Sequence, residues 1–152
     1  MRKLLKYFSI LIVIIWMGIV FQFSSESSLK SENTSNHFTK TILGENITDQ
    51  RVEELSFMIR KTAHFTLYTI GGVCICLCVM LNYEGKKNIY LIGFSIGSIY
   101  AITDEIHQLF VPGRACELRD VIIDSLGILV GVVIIKFFKL IIYHLKRSED
   151  NG

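Results

Sequence analysis

The chain has 152 residues, 51% of them hydrophobic, a mean hydropathy of +0.45 and a single proline. A water-soluble domain of this size has no need of so much apolar surface, whereas a small bundle of membrane helices does. The formal net charge of +2 comes from Lys and Arg that stand beside apolar runs and build no basic face, which sets nucleic-acid binding aside.

Residues 4–23 form an apolar run with Lys6 as its only charge, behind Arg2 and Lys3. A helix of about 20 residues spans roughly 30 Å, the thickness of the hydrocarbon core. A signal peptide shares the basic start and the apolar run. Trp16 and the ending Phe21-Gln22-Phe23, with no small-x-small pair before the serines, instead predict an uncleaved anchor. Residues 24–61 read as an outer loop, first rich in Ser, Thr, Asn and Glu, then amphipathic. Thr48 is placed to cap a helix with Val52, Leu55 and Ile59 at helical spacing, and Ile47 faces Val52 as a hydrophobic staple. That helix is expected on the membrane surface, and a mobile connector is the competing reading. The sequons at Asn33 and Asn46 matter only in a glycosylating host.

The second span is expected over residues 62–81, behind Arg60 and Lys61 and closed by the turn-like stretch 82–87. The third covers 88–108 and stops at Pro112-Gly113; the fourth covers 121–143, with Lys136 and Lys139 near its far end, where long side chains snorkel to the headgroups. Four spans put both termini on one side. Arg2, Lys3, Lys6, Lys86, Lys87, Lys139, Lys146 and Arg147 then face the cytoplasm, as the positive-inside rule asks, although the outer segments carry Lys30, Lys40, Arg51, Arg60, Lys61, Arg114 and Arg119. The expectation is one all-α domain over 1–152, a compact bundle of four transmembrane helices in the cell membrane with a partly helical outer loop and both termini cytoplasmic.

Gly93-x-x-x-Gly97, continued at Ala101, and Gly127-x-x-x-Gly131 are small-residue repeats that let membrane helices approach closely. Cys74, Cys76 and Cys78 alternate, and on a helix that period scatters them, so they read as small apolar fillers and Cys116 as a lone loop thiol.

Polar residues of three spans arrive at one depth. Arg60, His64 and Tyr68 share a face of the second; Tyr100, Asp104, His107 and Gln108 share one of the third; Asp120, Asp124, Gly127 and Gly131 share one of the fourth. Because a charged face of a membrane helix turns away from lipid, the three faces are expected to meet. Arg60, Lys61, Arg114 and Arg119 balance Asp104, Glu105, Asp120 and Asp124, so a structural ion-pair network that only pins the helices is one reading. A working site is the other, because two imidazoles and a Pro-Gly-Arg turn exceed what pinning requires. A metal could draw on His64, Asp104, His107, Asp120 and Asp124, but the paired Glu-x-x-His of bundle metal sites is missing, so neither metal nor cofactor is assigned. Acid–base chemistry on a lipid-linked phosphate or sugar would use Asp104, Glu105, His107 or His64 beside Arg114. Recognition of an anionic head group or peptide by Arg60, Lys61 and Arg114 needs no catalysis and is preferred. A proton-coupled transporter is disfavoured, since no charge falls near the predicted bilayer centre.

The stretches Arg60-Lys61-Thr62-Ala63-His64-Phe65 with Tyr68, Tyr100-Ala101 followed by Asp104-Glu105-Ile106-His107-Gln108-Leu109-Phe110-Val111-Pro112-Gly113-Arg114, and Asp120 with Asp124 and Gly127 resemble the VanZ-like family of bacterial membrane proteins. Phe23-Ser24-Ser25 is similar to a further feature of that family, and the resemblance runs from about Leu4 to Val133. It implies a cell-envelope protein that lowers susceptibility to teicoplanin-type lipoglycopeptides, with membrane lipids and a lipoglycopeptide or cell-wall precursor as partners. It brings no accepted enzymatic mechanism. The residues expected to bind or alter such a component are Arg60, Lys61, His64, Tyr68, Tyr100, Asp104, Glu105, His107, Gln108, Arg114, Asp120 and Asp124.

Overall fold

In the computed structural model of the chain, residues 2–44, 48–83 and 88–150 are described. They form five helices: α1 (Arg2–Ser24), α2 (Ser28–Leu43), α3 (Asp49–Asn82), α4 (Ile89–Gln108) and α5 (Leu118–Asp150). All but α2 are long and apolar enough to cross a membrane. The staple at Ile47, the sequon at Asn46 and the turn at Lys86-Lys87 lie outside the described residues.

Each long helix turns a narrow stripe inward. On α1 the stripe is Ser9, Trp16, Val20 and Ser24, while Leu4, Leu11, Ile14 and Ile15 are exposed on its other sides. Large side chains exposed along a helix of this length form the lipid-facing surface of a membrane bundle. The buried core joins Trp16 and Val20 to Tyr68, Ile75, Cys76 and Val79 of α3, Ala101 of α4, and Ile128 and Val132 of α5. Trp16 lies over Gly71, where a Cβ would collide with the indole, and donates its Nε1–H to the carbonyl of Leu67 at 2.9 Å.

The most extensive pairing is α3 with α5. It is built on the small residues the sequence singled out: a Cβ on Gly127 would stand 2.6 Å from the carbonyl oxygen of Phe65, and one on Gly131 would meet the α3 backbone at Thr69 and Val73. Only glycine permits two helices to approach so closely. At the opposite end of the bundle Asn82 donates to Ser9 Oγ at 3.3 Å, and Lys136 and Lys139 each lie 6.0 Å from the Tyr90 ring. The antiparallel order this requires carries the far ends of α1 and α4 and the near end of α5 to one place, beside the middle of α3.

Two elements differ from the sequence expectation. The second span and the amphipathic segment before it are one continuous helix of 34 residues, about 50 Å long at 1.5 Å per residue and so longer than the hydrocarbon core. No proline or glycine interrupts residues 49–70, and nothing else in that stretch stops a helix. The early polar part of the loop is also a helix, α2. Ser27 Oγ accepts from the Lys30 N–H at its start, and Gly44, at φ 90°, ends it. The α2 helix docks on the overhanging part of α3, where Thr39 Oγ1 and Ser56 Oγ share a buried hydrogen bond of 2.9 Å.

Candidate functional site

The carboxylates of α4 and α5 form the floor of the site. Asp104 is 3% exposed, and its Oδ2 accepts from Ser24 Oγ at 2.8 Å and from the Tyr68 hydroxyl at 3.1 Å, so three helices meet on one oxygen. Glu105 is fully buried; Oε1 accepts from Gln108 Nε2 at 2.9 Å and Oε2 from the Glu117 N–H at 3.0 Å. Asp124 is fully buried as well, with His64 Nδ1 3.7 Å from its Oδ1.

Cations stand above this floor. Arg114 is placed by the reversal between α4 and α5: Pro112 and Gly113 occupy the centre of a turn closed by the Arg114 N–H on the Val111 carbonyl at 3.1 Å, with Gly113 at φ 76°. A positive φ at that position calls for glycine. The guanidinium donates to Gln108 Oε1 at 3.1 Å, to the Glu26 carbonyl at 2.9 Å and to the Phe23 carbonyl at 3.4 Å, tying α1 to α4. Burial pushes its pKa below the ordinary guanidinium value, against the pull of Asp104, Glu105 and Glu26. Arg60 donates to Ser35 Oγ of α2 at 2.8 Å. Lys61 is paired with Asp120 and lies 5.2 Å from the Phe57 ring, while Arg119 pairs with Glu117 at 2.7 Å and lies 5.1 Å from the same ring.

Two adjoining cavities open between these groups. One, of about 180 Å³, is polar and bounded by Ser28, Ser31, Lys61, Gln108, Glu117 and Asp120. The other, of about 230 Å³, is largely apolar and runs between Val20, Phe23, Ala63 and Leu67. Ser31, Arg60, His64 and Arg114 line both, so the two are halves of one cleft with cations at the join.

The expected convergence of three helix faces is present, with differences in detail. Arg60, Lys61, His64, Tyr68, Asp104, Glu105, Gln108, Arg114, Asp120 and Asp124 all belong to the cleft or its floor. Tyr100 does not: it packs on Trp16 at 5.2 Å between ring centroids and donates its hydroxyl to the Met17 carbonyl at 2.7 Å. His107 is likewise turned to α1, stacked on Phe21 at 4.4 Å with Nε2 3.2 Å from Ser25 Oγ, and lines neither cavity. Mutual neutralisation of four cations and four acids is also only partly realised. Among the described residues Asp120 has direct cationic partners, whereas Asp104 and Glu105 are held by neutral donors. A position at the end of a helix fixes depth but not bearing, which is why spacing alone grouped His107 with the carboxylates.

Sequence reasoning passed over Ser35, Glu117 and Glu26. Glu26 and Glu117 contribute backbone groups, and no side-chain pattern signals a carbonyl or an N–H. Ser35 meets Arg60 only because α2 is helical and docked.

An all-helical, multi-pass membrane protein with a polar cleft at one end of its bundle is the class that fold and site define. The family model described as VanZ/LLP1 matches residues 8–139, and the chain belongs to the VanZ/LLP1 family. No curated protein and no solved structure shows a significant match to it.

Proposed function

We propose that this protein binds the anionic head group of a lipid or cell-wall precursor at the outer leaflet of the bacterial cell membrane, and thereby lowers susceptibility to teicoplanin-type lipoglycopeptides. The observation that carries the reading is the divided cleft. A polar half and an apolar half share Arg60, His64 and Arg114, so a phosphate or carboxylate can sit on the cations while an acyl or prenyl chain runs past Val20, Phe23 and Leu67 toward lipid. Guanidinium groups suit this task because their fork matches both anions. Charge supports the orientation: Arg2, Lys3, Lys6, Lys146 and Arg147 lie toward the end of the bundle away from the cleft, and the positive-inside rule favours that end and both termini in the cytoplasm, against the pull of Lys30, Lys40, Arg51, Arg60, Lys61, Arg114 and Arg119 at the cleft end.

The minimum inhibitory concentrations of teicoplanin and vancomycin, measured for cells expressing wild type or Arg60→Gln at equal membrane levels, test the reading. Wild type is expected to raise the teicoplanin value and the variant to lose most of that rise. No effect of wild type on either drug removes the resistance role. A second reading, an enzyme acting on a lipid-linked phosphate or sugar, is favoured by one feature: the imidazole of His64 lines the cleft with its Nδ1 3.7 Å from the buried Asp124 carboxylate, an arrangement that becomes a general base and its orienting partner if the contact tightens on binding. Release of phosphate or sugar by wild type, lost in His64→Gln with folding intact, separates that reading from binding alone.

A further inference from the structure

Beneath the cleft, one oxygen of each of Asp104, Glu105 and Asp124 lies within 4.8 Å of the other two. All three side chains are at most 3% exposed. Asp104 and Glu105 receive donors arranged as around carboxylate anions, two on Asp104 Oδ2 and one on each oxygen of Glu105. Asp124 is different, because neither of its buried oxygens has a hydrogen-bond partner among the described residues, and His64 Nδ1 stands 3.7 Å from Oδ1, beyond hydrogen-bond distance. An isolated buried carboxylate costs several kcal/mol even after relaxation, and two more beside it add repulsion.

We propose that Asp104, Glu105 and Asp124 bind one divalent cation of the calcium class. Calcium takes oxygen ligands at about 2.3–2.6 Å in flexible geometry, so two ligands on opposite sides of the ion stand about 4.6–5.2 Å apart, whereas magnesium holds them near 4.1 Å. The three oxygens lie within 4.8 Å of one another, inside the span that one calcium ion can bridge. A hard oxygen donor set of this kind also disfavours thiophilic metals. Two positive charges on the ion and one on Arg114, linked to Glu105 through Gln108, balance the three carboxylates. This site differs from the ligand set weighed and left unassigned from sequence: Glu105 enters, and His64, His107 and Asp120 drop out. It stands whether or not the cleft above it holds an anion.

The test uses the full chain in detergent micelles, stripped with a chelator and titrated with Tb3+, a luminescent stand-in for Ca2+. The Tyr68 hydroxyl touches Asp104, and the Trp16 ring lies 5.7 Å from that of Tyr68, so light absorbed by either ring reaches an ion held there. Saturable emission is expected at about one ion per chain, displaced by Ca2+. Affinity is expected to fall at least about tenfold in Glu105→Gln and in Asp124→Asn, and to be unchanged in Glu53→Gln, an exposed carboxylate near the start of α3 and away from the cleft. Absence of saturable emission from wild type overturns the proposal without recourse to any variant, and means that the three acids share protons instead. Emission of undiminished affinity in a folded Glu105→Gln or Asp124→Asn places the ion elsewhere and overturns it equally.

Discussion

At the scale of single residues, the side chain on which most depends is Asp104, because α1, α3 and α4 all meet there through Ser24 and Tyr68. Replacing Tyr68 with Phe removes one donor and leaves the buried carboxylate short of a partner. The expected cost is about 1–3 kcal/mol, read from an unfolding titration in mixed micelles, and an unchanged midpoint contradicts the assigned contact. Spacing alone placed Tyr68, Asp104 and Asp124 on facing surfaces, because i, i+4 arithmetic is reliable on a long helix. It put His107 and not Glu105 on the face of Asp104, although the two sit on opposite sides of Asp104's bearing and it is Glu105 that is buried. Nor could it identify the Glu117 N–H, a backbone donor that becomes available only at the start of α5.

At the scale of elements, the principal correction is the continuity of α3. The turns before Arg60 and Lys61 continue α3 as a rigid extension and give α2 a surface to dock on. Met58 is 63% exposed, so a substitution there acts through the backbone. Met58→Pro is expected to destabilise by about 3 kcal/mol, since it deletes an internal helix hydrogen bond and clashes with the preceding turn; two separate helices hinged near this residue would tolerate it. The α3–α5 contact makes a second demand. Gly127→Leu forces a side chain onto the Phe65 carbonyl, which a Cβ alone would approach to 2.6 Å. A loss of about 1–3 kcal/mol or more is expected in the same titration, whereas Gly18→Leu, with open space around it, is expected to be near neutral. The small-residue repeats were visible in the sequence, and so was their use. The identity of the partner helix was not, because a glycine stripe carries no record of what packs on it.

At the scale of the whole molecule, the number of spans and their order followed directly from apolar run lengths, while the helical state of residues 28–43 did not. That segment has a cap at Ser27 and a stop at Gly44 but few apolar residues, and its helix is completed by docking on α3. Orientation can be read with the native thiols. Cys116 is exposed at the cleft end, while Cys74, Cys76 and Cys78 lie inside α3. A membrane-impermeant maleimide added to intact cells is expected to label the protein once, at Cys116; protection of that thiol until the cells are broken places the cleft in the cytoplasm instead.

The most direct test of the central claim is a comparison of lipid retention by the purified protein in native mass spectrometry, with an anionic and a zwitterionic phospholipid of the same chains. The divided cleft predicts that wild type keeps the anionic lipid in preference. It also predicts that Arg60→Gln, which removes a cation that donates to Ser35 Oγ, weakens that retention about tenfold, the equivalent of one charge-assisted hydrogen bond. Equal retention of the two lipids by wild type, or of the anionic lipid by wild type and variant, contradicts it.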